Sequence, residues 1–237
     1  MRRWIDGGLV LVLSPLLIPL GMVAALAVFV GDRHAPTISF QRIGRGGGSL
    51  NVTKIRSMRP ADDSGPKITG SEDNRITPVG ALLRKLRIDE LPQLLAVLRG
   101  EMAIIGPRPE DPAFVDLDDD GWREVLSARP GIAGLAQVIA GEWEETELTG
   151  DDPAALYRQV AVPAKVAIDR YYARHASPSL DWLVVRSLFE QFILGAVETS
   201  AHRLVADQIP EARALLPRAL LPEVPNPLST KTGSTAA

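Results

Sequence analysis

Two adjacent carboxylates, Asp89 and Glu90, are the residues of this sequence best suited to chemistry. Apolar residues recur at helical spacing through residues 78–98, and Pro92 predicts a division into two helices. The second of these helices would begin at the carboxylate pair and end at Gly100. Because the first turn of a helix carries unpaired N–H groups and a partial positive charge, we expect this position to keep a carboxylate ionised and to attract phosphate.

The acidic pair predicts two complementary roles in phosphoryl chemistry. An ionised aspartate such as Asp89 can attack phosphorus and form an aspartyl phosphate. A neighbouring glutamate such as Glu90 offers a hard oxygen ligand for Mg²⁺, which usually takes only one or two carboxylates besides phosphate oxygens. Acidic residues are also common in first helical turns, where they stabilise the helix by about 0.3–1 kcal/mol without any catalytic role. The pair alone therefore leaves both interpretations open.

Arginines on both sides of the pair favour the chemical interpretation. Arg84 precedes it, and Arg56 and Arg108 lie on the segments that flank the predicted helices. A guanidinium group binds phosphate oxygens through paired hydrogen bonds. Since a carboxylate that attacks an anion is repelled by it, cations of this kind are needed at such a site.

The element that would hold this chemistry at a membrane is the apolar run at residues 9–30. No charged side chain occurs between Asp6 and Asp32. A straight helix over the run would extend roughly 33 Å, at about 1.5 Å per residue, which is close to the bilayer hydrocarbon thickness of about 30 Å. The sequence therefore predicts a membrane segment.

Two prolines within this run predict a bend. Pro15 and Pro19 each remove a backbone donor, and the Ser14 hydroxyl is expected to bond back to a carbonyl of the preceding turn. A sharply bent helix has arms too short to cross, so it would re-enter and leave by the same membrane face. Hydropathy alone leaves open a kinked single span, and a signal peptide cleaved near residues 25–27 (ALA) is a further alternative.

The chain divides into a membrane anchor at residues 1–32, a compact domain at 33–200 and a C-terminal extension at 201–237. Short β-prone pieces at 37–40 and 50–55 surround glycines and predict a β-hairpin. These glycines do not form a phosphate-binding loop, because no GK[ST] follows them. The expected fold class is α+β, mostly helical and membrane-associated.

Weaker signals organise the rest of the domain. They predict a loop at 59–74, a short strand at 102–105, a turn at 129–134, helices around 122–127, 154–172 and 180–197, a break at Pro163, and disorder beyond Pro217.

Composition excludes several classes of protein. The chain has 237 residues and no cysteine, which excludes disulfide scaffolds, thiolate metal sites and cysteine nucleophiles. Its formal net charge is −3, so it lacks the basic excess of a nucleic-acid coat protein, and no nucleic-acid partner is expected.

The stretch at residues 73–109 resembles the signature of the bacterial sugar transferase family, the monotopic polyprenyl-phosphate phosphoglycosyl transferases. Further matches occur in the family's order from residue 1 to about residue 197. They are a basic-x-x-Asp start at Asp6, the Ser14-Pro15 break of a re-entrant helix, strand motifs at 40–44 and 54–58, the RPG(I/L)TGLAQV-like stretch at 129–138, and an Asp169-x-x-Tyr172 helix. Several motifs in order are far more specific than any one of them.

The resemblance implies a reaction and its site residues. Asp89 would attack the β-phosphate of a UDP-sugar and release UMP, and Glu90 would bind Mg²⁺. Polyprenyl phosphate would then take the phosphosugar from Asp89. Matching polar or loop positions imply substrate or phosphate contacts at Lys54, Arg56, Arg84, Arg108, Pro130, Gly131 and Asp169.

The resemblance also implies a location and partners. The domain would face the cytoplasm on the bacterial inner membrane, since UDP-sugars are cytoplasmic, and membrane lipid and downstream glycosyltransferases would be its partners. The sequence departs from the family pattern at Arg87-Ile88, where Ser-Leu is common, and at Ala133, where Thr is usual. The sugar and the pathway stay undetermined. A non-enzymatic, membrane-anchored adaptor of an envelope assembly system is the alternative function.

Overall fold

The computed structural model describes residues 2–59, 73, 75–147 and 153–216, with backbone alone for residue 2, residues 142–147 and residue 153. Most of the predicted loop at 59–74 and the whole predicted disordered end beyond residue 216 lie outside the described residues. The described part is a mostly helical α+β fold with one long apolar helix and two small sheets, which confirms the expected class in outline.

Helix α1 (Arg2–Asp32) carries the apolar run. Its apolar window has a mean hydropathy of 2.5 and is long enough to cross a membrane. The helix continues through both Pro15 and Pro19. The Ser14 hydroxyl donates a hydrogen bond of 2.8 Å to the Leu11 carbonyl, as predicted, and so satisfies an acceptor in the turn that precedes Pro15.

One side of α1 packs against the domain near both of its ends. Val10 is buried in a cluster with Leu50 and Met102. Val28, about five turns further along the helix, is fully buried with Leu83. Most other large apolar side chains of α1 are exposed. The helix therefore combines a domain-facing stripe with a broad apolar surface that has no protein cover among the described residues.

The predicted hairpin follows α1. Strands β1 (Thr37–Ile43) and β2 (Ser49–Ile55) pair antiparallel, and the turn between them contains Gly46 and Gly47, both with positive φ. Lys54 lies near the end of β2.

The carboxylate pair lies in a tight turn between two short helices. Helix α2 (Pro78–Lys85) is capped by the Thr77 side chain, and helix α3 (Leu94–Arg99) ends at Gly100 in the left-handed conformation. Between them, Ile88–Gln93 forms a 3₁₀ segment. The prediction that the second helix begins at the pair is therefore corrected. The pair and Pro92 precede α3, since the proline lacks an N–H and its ring crowds the preceding turn.

A second sheet joins the predicted short strand at 102–105 to the segment at 129–134, where only a turn was predicted. Strand β3 (Ala103–Ile105) pairs in parallel with β4 (Gly131–Ala133). Gly106 and Gly131 make this approach possible, because a Cβ on Gly131 would lie 2.2 Å from the Gly106 nitrogen. The backbone N–H of Gly131 donates to the Pro107 carbonyl at 2.8 Å.

Helices cover the remainder of the domain. They are α4 (Asp120–Ser127), α5 (Leu135–Glu147), α6 (Pro153–Leu156), α7 (Val162–His175), α8 (Pro178–Phe192), α9 (Ser200–Gln208) and α10 (Pro210–Leu215). A π-helical segment, Tyr157–Ala161, joins α6 to α7, and Pro163 lies in the first turn of α7 rather than interrupting a helix. The main core includes Leu135, Ile168 and Val205, so α9 packs with α5 and α7.

Candidate active site

The structure brings Asp89 and Glu90 together with cations from two other segments and with the preceding Arg87. Lys54 reaches the pair from β2, and Arg108 reaches it from the loop after β3. Arg108 Nη2 donates to Glu90 Oε1 at 2.7 Å and Nη1 to Glu90 Oε2 at 3.2 Å, while Lys54 Nζ donates to Glu90 Oε1 at 3.2 Å. Arg87 Nη1 lies 3.7 Å from the same Oε1 atom. Glu90 is thus the centre of the charge cluster.

Asp89 has a different environment, although it is the next residue. Its side chain is 6% exposed, and its buried Oδ1 atom accepts no hydrogen bond from any described residue. A buried carboxylate oxygen without a donor is costly, and such atoms in folded proteins call for an explanation. This oxygen therefore has unused hydrogen-bonding capacity among the described residues.

Burial and the surrounding charges separate the pKa values of the two carboxyl groups. Burial raises the pKa of Asp89 above its ordinary value, against the attraction of Lys54. Burial by itself would also raise the pKa of Glu90, but Arg108 and Lys54 outweigh it and hold that pKa well below its usual range. Glu90 therefore stays ionised throughout the physiological range.

The pKa of Lys54 is lowered to about 8, mainly by burial and by the positive charge of Arg108, against the attraction of Glu90 and Asp89. Because a lysine loses its proton as the pH rises through its pKa, the charge of Lys54 is lost as the pH rises through about 8.

Contacts with β4 and with the residues that precede it fix the position of Arg108. Its Nη1 atom also donates to the Ile132 carbonyl at 3.0 Å, which ties the guanidinium to β4. Pro130 and Gly131 contact the segment that carries Arg108. The Pro130 carbonyl accepts a backbone hydrogen bond from Ala103, and Gly131 lies against Gly106. These two residues shape the loop that carries the cation.

The other predicted site residues lie at different distances from the pair. Arg84 contributes to the positive field at Asp89, although its nearest polar contact is Met58 Sδ at 3.7 Å. Arg56 donates from Nε to the Ala35 carbonyl at 2.9 Å, so its guanidinium binds the linker after α1 rather than the carboxylate pair. Asp169 is buried on α7.

Sequence reasoning missed a second buried charge cluster beside Arg108. Lys165 Nζ donates to Glu110 Oε2 at 2.9 Å, and the Tyr157 hydroxyl bonds to the same oxygen. Glu110 directly follows the Gly-Pro-Arg-Pro loop, which was the one signal that could have pointed to it. Gln93 was also missed. It lies in the same 3₁₀ segment as the pair, and its buried Nε2 donates to no described residue.

Comparison with known proteins identifies the family. The profile of the family described as bacterial sugar transferase matches residues 1–194. This chain belongs to the bacterial sugar transferase family. The match includes α1, the carboxylate pair and the loop of Arg108, so this site lies within the part that the family shares.

Individual relatives of this sugar transferase carry related names. A UDP-N-acetylgalactosamine-undecaprenyl-phosphate N-acetylgalactosaminephosphotransferase of Aeromonas hydrophila is 33% identical over 82% of this chain and 44% of its own length. A UDP-glucose:undecaprenyl-phosphate glucose-1-phosphate transferase of Caulobacter vibrioides is 39% identical over 62% of this chain and 57% of its own length. The exopolysaccharide production protein ExoY of Sinorhizobium fredii is 33% identical over 73% of this chain and 75% of its own length.

The sugar transferase chain thus spans about half the length of the first two of these relatives. The names of those two relatives specify different sugars at similar identity, so similarity to them does not select a sugar for this member of the family.

Proposed function

We propose that this protein transfers a sugar 1-phosphate from a UDP-sugar to undecaprenyl phosphate, as the first membrane step in the assembly of a polysaccharide or glycoconjugate. The observation that carries the proposal is the buried Asp89 Oδ1 atom, which has no donor among the described residues and lies beside a carboxylate held by Arg108 and Lys54. Family membership and the names of the relatives support the same reaction class.

In the first half-reaction, Asp89 acts as the nucleophile. Its Oδ1 atom bonds to the β-phosphorus of the UDP-sugar, and the bond from that phosphorus to the bridging oxygen breaks. The bridging oxygen keeps the electron pair and leaves as part of UMP. Arg108 and Lys54 offset the negative charge of the diphosphate as the carboxylate approaches it.

In the second half-reaction, undecaprenyl phosphate replaces the protein. An oxygen of the lipid phosphate bonds to the phosphorus held on Asp89, and the bond between that phosphorus and Oδ1 breaks. The Asp89 carboxylate is regenerated, and the product is undecaprenyl diphosphate-sugar. Downstream glycosyltransferases are the class of enzyme that would extend this product.

We include Mg²⁺ as the cofactor, held by Glu90. Among the described residues no group of three or more His, Cys, Asp or Glu side chains could hold a metal ion by itself. One carboxylate is within the number that Mg²⁺ usually takes, since phosphate oxygens and water fill its other positions, and Mg²⁺ at Glu90 would replace one of the hydrogen bonds that Arg108 donates to this carboxylate. When bound, the ion would neutralise charge on the transferring phosphates.

We also propose that α1 is re-entrant and that the domain lies on the cytoplasmic face of the bacterial inner membrane. Asp6 near the start of α1 forms an ion pair with Arg129 at 2.9 Å, and Val28 near its end packs against Leu83. A helix that crossed the bilayer would separate these two positions by about 30 Å of hydrocarbon. Contacts of both ends with one domain support a helix that stays on the side of that domain.

One assay tests the reaction. Full-length protein in lipid nanodiscs is given undecaprenyl phosphate, Mg²⁺ and each of a panel of UDP-sugars, and UMP release is measured. We expect release with at least one sugar, loss of release when a chelator removes Mg²⁺, and a decrease of roughly a thousandfold or more in Asp89→Asn. Without lipid acceptor, the intact mass should increase by one sugar phosphate in the wild type but not in this variant.

Asp118→Asn is the matched control, because Asp118 is an exposed aspartate outside the site, and it should keep wild-type turnover. Unchanged turnover in Asp89→Asn would exclude the covalent mechanism. No UMP release from the wild type with any UDP-sugar would contradict the proposed function and favour the adaptor.

A further inference from the structure

Arg87 occupies an unusual position between the charge cluster and an exposed apolar surface. Its backbone is left-handed, with φ 55° and ψ 20°, a conformation that is uncommon for residues other than glycine. On one side its guanidinium lies 3.7 Å from Glu90 Oε1. On the other side its Cζ atom lies 5.7 Å from the centroid of the Phe192 ring. Arg87 therefore connects the carboxylate pair with the end of α8.

Phe192 begins an exposed apolar surface. It is 47% exposed, and Ile193 and Leu194, which follow it, are 67% and 66% exposed. Leu86, the neighbour of Arg87 in the chain, is also exposed. Large apolar side chains gain free energy when they leave water, so grouped exposure of this kind marks a surface for an apolar ligand, a protein or a membrane.

Arg87 is the most weakly paired of the three cations that face Glu90. Arg108 and Lys54 donate to Glu90 at 2.7 and 3.2 Å, whereas Arg87 stays at 3.7 Å with its side chain 37% exposed. A guanidinium group that lies over an aromatic ring still has its N–H groups at the edge of its own plane, where they can donate to a phosphate. Arg87 can therefore bind an additional anion while Arg108 and Lys54 keep their hydrogen bonds to Glu90.

We propose that Arg87 and Phe192 form the acceptor subsite. Arg87 binds the phosphate of the polyprenyl phosphate, and the prenyl chain lies on the apolar surface formed by Phe192, Ile193 and Leu194. A cation at the inner end and an apolar surface at the outer end match a lipid whose phosphate must reach Asp89, two residues after Arg87. Arg87 is a departure from the family pattern, which commonly has serine at this position. The proposal rests on the proposed function.

The test separates the two substrates of the reaction. Steady-state UMP release is measured in nanodiscs of neutral phospholipid, and KM is determined separately for undecaprenyl phosphate and for the UDP-sugar. In Arg87→Asn, which removes the charge but suits a left-handed backbone, we expect KM for undecaprenyl phosphate to rise about tenfold. Phe192→Ala should raise the same constant, and Arg87→Lys should raise it less than Arg87→Asn. KM for the UDP-sugar should change less than twofold in each.

Trp182→Ala is the matched control, since Trp182 is an exposed aromatic residue near the other end of α8 and should leave both constants unchanged. The proposal is overturned if Arg87→Asn changes both KM values equally or only that of the UDP-sugar. It is also overturned if KM for undecaprenyl phosphate stays constant while binding to vesicles of anionic phospholipid decreases, because Arg87 would then bind bilayer headgroups. A wild type that releases no UMP would instead remove the proposed function, and the subsite with it.

Discussion

At the scale of single residues, Asp89 and Glu90 are neighbours with opposite environments. Glu90 is surrounded by cations that stabilise its charge, whereas Asp89 is buried with one oxygen that lacks a donor among the described residues. The difference suits a division of labour in which one carboxylate is held in place and the other reacts. Burial in the same site lowers the pKa of Lys54 to about 8, which lies within an experimentally accessible pH range.

A pH profile tests the role of Lys54. Since its pKa is about 8, Lys54 is charged below that pH and neutral above it, so kcat/KM for the UDP-sugar should fall as the pH rises through about 8. Lys54→Arg keeps the charge at higher pH. We therefore expect the alkaline limb of the kcat/KM profile to move upward by at least about one pH unit in this variant.

Lys85→Arg serves as the control, because Lys85 is an exposed lysine on α2, and its profile should match the wild type. If Lys54→Arg showed the wild-type alkaline limb, the loss of activity would belong to another group and Lys54 would not be the cation that matters.

At the scale of elements, the parallel pairing of β3 and β4 positions the loop of Arg108. This pairing depends on two glycines that place their backbones in contact, Gly106 and Gly131. Strand β4 also supplies the Ile132 carbonyl that accepts from Arg108. A change that separates these strands should therefore lower both stability and activity.

Gly131→Ala tests this coupling. The new Cβ would lie 2.2 Å from the Gly106 nitrogen, so the two backbones must move apart, at a cost of about 3 kcal/mol. That cost corresponds to a decrease in Tm of about 6–12 °C for a domain of this size. We also expect a lower kcat/KM at temperatures where the variant is folded, because Arg108 would shift relative to Glu90.

Gly141→Ala provides the contrast within α5. Among the described side chains, a Cβ there would meet only Gln137 Cγ at 3.7 Å, and alanine favours a helix, so Tm should stay constant or increase by a few degrees. Equal Tm values for the two variants would show that the approach of Gly106 to Gly131 does not limit stability.

At the scale of the whole molecule, α1 determines how the domain meets the membrane. The helix packs along the domain through Val10 and Val28, and the Asp6–Arg129 ion pair fixes its beginning. The site and the exposed apolar surface of α1 therefore belong to one body. In the proposed re-entrant topology, a lipid phosphate would reach Asp89 from the membrane face on which the domain lies.

Cysteine labelling tests this topology, because the chain contains no cysteine. Trp4→Cys and His34→Cys place single thiols at exposed positions at the two ends of α1 without removing Asp6, which is needed for its ion pair. A membrane-impermeant maleimide should label both variants from the cytoplasmic face of inverted vesicles and neither from the outside of intact spheroplasts. Labelling of the two positions from opposite faces would establish a spanning helix.

The amino-acid sequence by itself determined the apolar helix, the hairpin and the carboxylate pair, and the family resemblance pointed to Lys54 and Arg108 as site residues. These features follow from local patterns: the length of an apolar run, the alternation of β-prone residues around glycines, and motif spacing. The Ser14 hydrogen bond was predictable for the same reason, since a hydroxyl before a proline can reach only the preceding turn.

Only the tertiary structure decided which charges meet. Arg56 and Arg108 were equivalent in the sequence, yet Arg108 binds Glu90 whereas Arg56 binds the Ala35 carbonyl. The pairing of β4 with β3, the Glu110–Lys165 contact and the position of Arg87 beside Phe192 were likewise invisible, because each joins segments distant in the chain. Sequence patterns report local backbone preference and burial, whereas the energy of a charge depends on distances that only the folded chain sets.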